Sequence, residues 1–295
     1  NLGHDHLDLH GTPEEYFRAK ASLFRSEFTP LALINTDDTH GRLLIDQVTS
    51  SDEDITVISF STSDLTDVRV TATSIDYRWR GHDVSVAIGG DFNVSNSLAA
   101  LECAVALGVE PAIAASALSG LPVIPGRFES IGSSDGGRMP FSVVVDYAHT
   151  PDGLAEVLAA ARSVVASDAA VIVVFGCGGD RDHAKRPAMG AAAAAGADRV
   201  IITSDNPRTE NPMSIINDIN DGVDDRYRDP VVSQPDRRLA IGTALDAARP
   251  GDIVVIAGKG HEQTQDLGGN VVAFDDRAIA RSFLDMTTQE SMDLS

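Results

Sequence analysis

Four short polar segments carry the residue types from which a ligand site is built. Gly176-Cys-Gly-Gly-Asp-Arg-Asp-His-Ala-Lys-Arg-Pro187 is a glycine-rich turn followed by Arg181, Lys185 and Arg186 at a helix start. Glycines let backbone amides close on an anion, and a helix N-terminus adds partial positive charge. A tight turn bordered by surface cations fits the same residues. It is not a dinucleotide fingerprint, because Arg181 stands where G-x-G-x-x-G requires glycine. Gly258-Lys-Gly-His-Glu262 is not a phosphate loop either: Lys259 is followed by Gly260 rather than Ser or Thr, and the upstream glycine is missing. It reads as a turn ending a strand or as a loop bringing Glu262 to a ligand amine. Asp205-Asn-Pro-Arg208 sets a carboxylate and a guanidinium three positions apart, directly after the apolar run Val200-Ile-Ile202. Helix cap and clamp for a doubly charged ligand are both open readings. Asp146-Tyr-Ala-His149 is the fourth segment.

Two further features lie near the start. His4, Asp5, His6, Asp8 and His10 have the chemistry of a metal cluster, though a solvated polar loop fits equally, since spacing alone fixes no geometry. Lys20, within Tyr16-Phe-Arg-Ala-Lys-Ala-Ser-Leu-Phe24, is by itself a surface lysine.

These segments need elements to hold them. Glu14 to Phe24 reads as a helix, with Thr12 as cap, Pro13 at the first helical position and Glu15 three residues after the cap. Leu31 to Ile34, Ile55 to Phe60, Val68 to Ile75 and Val84 to Ile88 read as strands; Phe92 to Leu107 and Pro111 to Leu118 read as helices. From about residue 125 a strand, loop and helix rhythm sets in. Its strands are Phe141 to Val145, Val171 to Phe175, Val200 to Thr203 and Ile253 to Ala257. Its helices are Asp152 to Val165, Ala184 to Ala195, Pro212 to Gly222, Leu239 to Ala248 and Arg277 to Leu284. Such alternation predicts an α/β fold with a parallel, doubly wound sheet, whose ligands sit beyond the carboxyl ends of the strands. All four polar segments fall at those ends, so they are expected to face one crevice. Gln289 to Ser295 reads as a tail.

Composition narrows the partners. The 295 residues carry a formal net charge of -21, which argues against nucleic acid or an anionic membrane surface, since both select clustered Lys and Arg. No apolar run approaches the roughly 18 to 20 residues that span a bilayer, and a cytoplasmic location is expected. Cys103 and Cys177 are too few for a disulfide framework and read as reduced thiols.

Together the segments resemble the Mur ligases, the ATP-dependent amide ligases that build the peptidoglycan stem peptide. The resemblance runs from residue 1 to about 285 and rests on Asn1 to Gly11, Ala19-Lys20, Phe92-Asn-Val-Ser-Asn96, Gly126-Arg-Phe-Glu129, Asp146 to Asp152, Gly176 to Pro187, Asp205 to Arg208 and Gly258 to Glu262. It implies that residues 1–124 are the C-terminal part of a central ATP-binding domain and 125–288 a Rossmann-like amino-acid-binding domain, with 289–295 a tail. The family's Gly-Lys-Thr phosphate loop is not in this sequence, so the 295 residues alone are expected to be inactive. The implied reaction activates the D-glutamate carboxylate of UDP-MurNAc-L-Ala-D-Glu with ATP and joins it to an amine, with Mg²⁺ as cofactor and a monomer as the complete enzyme. By similarity Lys20 is a lysine carbamylated into a Mg²⁺ ligand, and His6 lies near a second Mg²⁺. Asn96 meets adenine, Arg127 and Asp146 meet phosphate and ribose, Lys185 is catalytic beside the phosphates, and His149 supports the nucleotide. Arg181, Asp205, Asn206, Arg208, Gly258 and Glu262 are the implied amino-acid residues. Asp-Asn-Pro-Arg points to meso-diaminopimelate, with the guanidinium on its far carboxylate and Asp205 and Glu262 on the adjacent ammonium. The alternatives are a lysine-adding or other Mur ligase, a folylpolyglutamate synthase relative, or a non-catalytic amino-acid or nucleotide-binding module.

Overall fold

The computed structural model describes residues 10–51, 54–134, 136, 139–227, 229 and 231–293, with backbone alone considered from 287 onward. The histidine and aspartate cluster at His4, Asp5, His6 and Asp8 lies outside the described residues. Two compact units emerge: one of residues 1–70, 74–87 and 91–122, the other of 71–73, 88–90 and 123–295.

The first unit begins with α1 (Pro13–Ala21), where Thr12 Oγ1 accepts the Glu15 amide at 3.2 Å, so the cap read from the sequence is formed. Strands β1 (Leu31–Asn35) and β2 (Thr56–Phe60) pair in parallel. Parallel neighbours need a crossover, and α2 (Thr39–Ser51) supplies it. The sequence reading passed over this helix because its apolar residues, Leu43, Leu44, Ile45 and Val48, are few among polar ones. Next come β3 (Thr66–Val70), β4 (Ile75–Trp79) and β5 (His82–Val86), an antiparallel meander. The single strand expected from Val68 to Ile75 is therefore two strands. Thr71 Oγ1 accepts the Thr73 amide at 3.1 Å, a local turn that breaks the extended run. Arg80 and Gly81, with φ of 48° and 83°, close the β4–β5 hairpin as two left-handed residues, matching the strand twist. Helices α3 (Phe92–Ala106) and α4 (Pro111–Ser119) complete the unit. Its buried Trp79 donates to Glu102 Oε1 at 2.8 Å.

The second unit holds β6 (Glu129–Ser130), β7 (Ser142–Asp146), α5 (Pro151–Ser163), β8 (Val171–Phe175), α6 (Lys185–Gly196), β9 (Arg199–Ile202), α7 (Pro212–Asn220), β10 (Val231–Ser233), α8 (Arg237–Ala247), β11 (Ile253–Ala257), the hairpin β12 (Thr264–Leu267) with β13 (Asn270–Ala273), and α9 (Asp276–Asp293). Its main sheet runs β10-β9-β8-β11-β7-β6, parallel except for the short antiparallel edge strand β6. The chain leaves β8 outward to β9 and β10, then returns through α8 to insert β11 between β8 and β7. That return makes the sheet doubly wound. Val171 to Phe175 and Ile253 to Ala257 are buried throughout, because helices cover both faces. On one face Val143, Val145, Ile172, Val174, Val254 and Ile256 pack with Ala240, Ile241 and Ala244 of α8 and Ile279 and Leu284 of α9. Each such side chain contributes about 1.5 to 3 kcal/mol by leaving water. Residues 289–293, expected as a tail, continue α9, which runs to Asp293.

Candidate functional site

The site grows from the carboxyl ends of four adjacent strands. Beyond β7, the buried Asp146 receives two short backbone bonds, Oδ2 from the Phe128 amide and Oδ1 from the Ala148 amide, both at 2.7 Å. Burial pushes the Asp146 carboxyl above its ordinary range, although the two amides and the Arg127 guanidinium work in the other direction. Arg127 stacks over the Tyr147 ring at 4.7 Å, and Tyr147 also meets the rings of His149 and His261. Lys185, at the start of α6, donates from Nζ to the His149 carbonyl at 2.8 Å. Gly126, at φ 64°, lies where a Cβ would stand 2.1 Å from the His261 amide nitrogen, so only glycine lets these two loops meet.

The loops after β8 and β9 are joined at many points. Arg208, at φ 51°, donates from Nη1 to the Gly179 carbonyl at 2.6 Å, and the Gly179 amide donates to the Asn206 carbonyl at 2.9 Å. A Cβ on Gly178 would lie 2.9 Å from Arg208 Nη1 and 3.6 Å from Arg181 Cγ, so the missing side chain is the room the two arginines share. Arg181 itself is exposed. Arg186, read from the sequence as a possible surface cation, is 1% exposed instead. Its guanidinium turns inward because Glu210 and Asp218 meet it at 2.8 to 2.9 Å.

Beyond β11, Gly258 sits at φ 110° beside the Asp205 carboxylate, where a Cβ would lie 3.3 Å from Oδ2. Lys259 is wholly buried, its Nζ 2.9 Å from Glu262 Oε2, 3.3 Å from Asn206 Oδ1 and 3.5 Å from Asp205 Oδ1. Asn206 Nδ2 donates to the same Glu262 oxygen at 3.0 Å. Asp205 and Glu262, expected to take the ammonium of a ligand, thus already face an ammonium of the protein. Burial raises the Asp205 pKa despite Arg237 and Lys259 nearby. At Glu262 burial also works upward, but the hydrogen bonds from Lys259 and Asn206 prevail and hold the carboxyl below its ordinary range. Behind them the buried Arg237 pairs with Asp276 at 2.7 and 2.9 Å and donates to the carbonyls of Ser204 and Ala257, tying the ends of β9 and β11 together.

The sequence reading brought Arg181, Asp205, Asn206, Arg208, Gly258 and Glu262 to one crevice, and in the second unit these loops are neighbours. It gave no site role to Lys259 beyond excluding a phosphate loop, and it passed over Arg237, Asp276 and Gln265, whose Nε2 donates to the Asp205 carbonyl at 2.7 Å. In the first unit, exposed Asn96 donates from Nδ2 to Asn93 Oδ1 at 3.2 Å, a local bond within α3. Lys20, also exposed, lies 4.9 Å from the Tyr16 ring and lines a cavity of about 300 Å³ with Asn35, Asp38 and His40. Among the described residues no three His, Cys, Asp or Glu side chains gather as a metal site, and no described helix is long and apolar enough to cross a membrane.

A doubly wound sheet with charged loops at its carboxyl ends, preceded by a separate α/β unit, is an α/β architecture of two units, and the chain belongs to the Mur ligase family. The model of the Mur ligase middle domain matches residues 1–104 and that of the Mur ligase glutamate ligase domain residues 126–260. The chain is 41% identical over 291 residues to the UDP-N-acetylmuramoyl-L-alanyl-D-glutamate--2,6-diaminopimelate ligase of Aquifex aeolicus, covering 96% of this chain and 57% of that one. It is 45% identical over 293 residues to the enzyme of the same name from Gloeobacter violaceus, covering 96% and 58%. A solved structure of a ligase of that name matches with 37% identity and a TM-score of 0.58, over 97% of this chain and 59% of the other. The chain therefore spans less than three fifths of the length of these relatives.

Proposed function

We propose that the protein is an ATP-dependent amide ligase that joins meso-diaminopimelate to the D-glutamate carboxylate of UDP-MurNAc-L-Ala-D-Glu. The observation that carries the reading is Arg208, set beside Arg181 across Gly178 on loops that also hold Asn206 and Glu262. A fork-shaped guanidinium suits the extra carboxylate by which diaminopimelate differs from lysine. The similarity to ligases named for that substrate supports it. Glu262 takes the neighbouring ammonium, and Asp205 acts behind it through Lys259. The acyl donor's carboxylate oxygen attacks the γ-phosphorus of ATP and ADP leaves; the amine then attacks the acyl carbon, expelling phosphate and losing a proton. Arg127 and Lys185 offset phosphate charge, Asp146 and His149 order the nucleotide side, and Asn96 meets adenine. Mg²⁺ belongs to this reading through a carbamylated Lys20 and His6, but the described residues do not assemble a metal site, and no step is assigned to the ion. The substrates place the reaction in the cytoplasm, and the complete enzyme is read as a monomer.

The test is ligation by the full-length gene product. Arg208→Ala should raise KM for meso-diaminopimelate by a factor corresponding to about 2 to 5 kcal/mol while leaving KM for ATP nearly unchanged. Equal effects on both would remove Arg208 from the amino-acid site.

A further inference from the structure

We propose that Lys259 is a specificity-determining residue, admitting amino acids whose far end is zwitterionic and repelling those whose far end is an ammonium alone. The inference rests on the functional reading above and deepens it.

Three observations carry it. Lys259 is completely enclosed, with Glu262 Oε2, Asn206 Oδ1 and Asp205 Oδ1 all within 3.5 Å of its Nζ. The chain is also sparing with this residue: Lys20, Lys185 and Lys259 are its only lysines among 23 Lys and Arg. Where the fold buries a fork-shaped cation it uses arginine, as at Arg186 and Arg237. At 259 it keeps a compact point charge, with three acceptor oxygens within 3.5 Å of Nζ. Finally, Glu262 is engaged through one oxygen. Lys259 and Asn206 both donate to Oε2, no hydrogen bond reaches Oε1 among the described residues, and the side chain stays 35% exposed.

The consequence is electrostatic. Without Lys259, the buried Asp205 and the partly exposed Glu262 would form a pair of acids that draws in any ammonium. With it, one acid is offset from within, and what remains for a ligand is a single carboxylate oxygen close to a fixed positive charge. A tail carrying ammonium and carboxylate together is neutral overall and can place its carboxylate on Arg208. A lysine-like tail brings an uncompensated cation toward Lys259, and like charges in such surroundings are strongly disfavoured. Lys259 thereby positions Glu262 and sets its selectivity without touching the reacting atoms.

The experiment compares kcat/KM for meso-diaminopimelate and L-lysine in the full-length gene product and in Lys259→Met, Lys259→Gln and Lys259→Arg. The neutral variants should lower the preference for diaminopimelate by about tenfold or more, chiefly through KM, whereas Lys259→Arg should keep it within about threefold. Parallel losses for both amino acids, or an unchanged ratio in the neutral variants, would overturn the proposal. The wild type gives a check that needs no variant: L-norleucine, a lysine tail without its charge, should compete with diaminopimelate more tightly than L-lysine does. The reverse order would also overturn the proposal. A wild type that uses no diaminopimelate would instead sink the functional reading, separately from the ratio.

Discussion

Arg186 and Glu210 form a two-point ion pair, Nη1 to Oε2 at 2.9 Å and Nη2 to Oε1 at 2.8 Å, between the first turn of α6 and the loop after β9. The same guanidinium holds Asp218 and reaches the Gly178 carbonyl, and Glu210 also receives the Asp180 amide. The pair therefore fixes the backbone on which Arg181 and Arg208 are mounted.

Its chemistry sets an acid limb for stability. Hydrogen bonds from Arg186 depress the Glu210 pKa from 4.5 to about 2, more than the small effect of burial raises it. A depressed carboxyl contributes stability that is whole above its unfolded pKa and is lost as pH falls through its folded one. Denaturant midpoints should accordingly fall between about pH 4.5 and pH 2. In Glu210→Gln that part of the slope should flatten, and an unaltered slope would refute Glu210 as its source.

Arg237 and Asp276 offer a second measurement. Both side chains are fully buried, so removing one partner alone strands a charge, at a cost of about 3 to 5 kcal/mol. Arg237→Met and Asp276→Leu should each destabilise the second unit severely, and the double variant should regain much of the loss. Far-UV circular dichroism follows the whole chain, while Trp79, the only tryptophan, reports the first unit. Additive losses in the double variant would refute the pairing.

The two thiols should behave differently. Cys177 is buried and its pKa is pushed up to about 12 by that burial, whereas Cys103 is exposed. Within these 295 residues, maleimide should label Cys103 in the native protein and Cys177 only after denaturation, as read by peptide mapping. Rapid labelling of Cys177 in the native protein would mean that the loop after β8 opens.

Much of this was legible in residue order. Strands at Val171 to Phe175 and Ile253 to Ala257 match the structure residue for residue, because unbroken β-branched runs between glycines and turns have few other uses. The crevice followed from the polar segments after each strand. Other parts lay beyond local pattern. A helix as polar as Thr39–Ser51 shows only once β1 and β2 are known to be parallel. The strand Ile75–Trp79 was masked by the threonine turn before it, although its alternating burial is clear in the fold. Lys259 lies between two glycines and reads as an exposed loop residue; its acceptors are 53 residues back in the chain, at Asn206, and three ahead, at Glu262. Arg237 and Asp276 are 39 residues apart, and no spacing rule joins them.

That last separation bears on how the molecule is made. The loops of the crevice end at Glu262, yet Arg237, which holds the ends of β9 and β11 together, takes its hydrogen-bonded counter-charge from Asp276. A chain cut after Glu262 would hold every loop of the crevice and still lack the carboxylate that anchors Arg237 behind them. The site thus leans on a residue that takes no part in it.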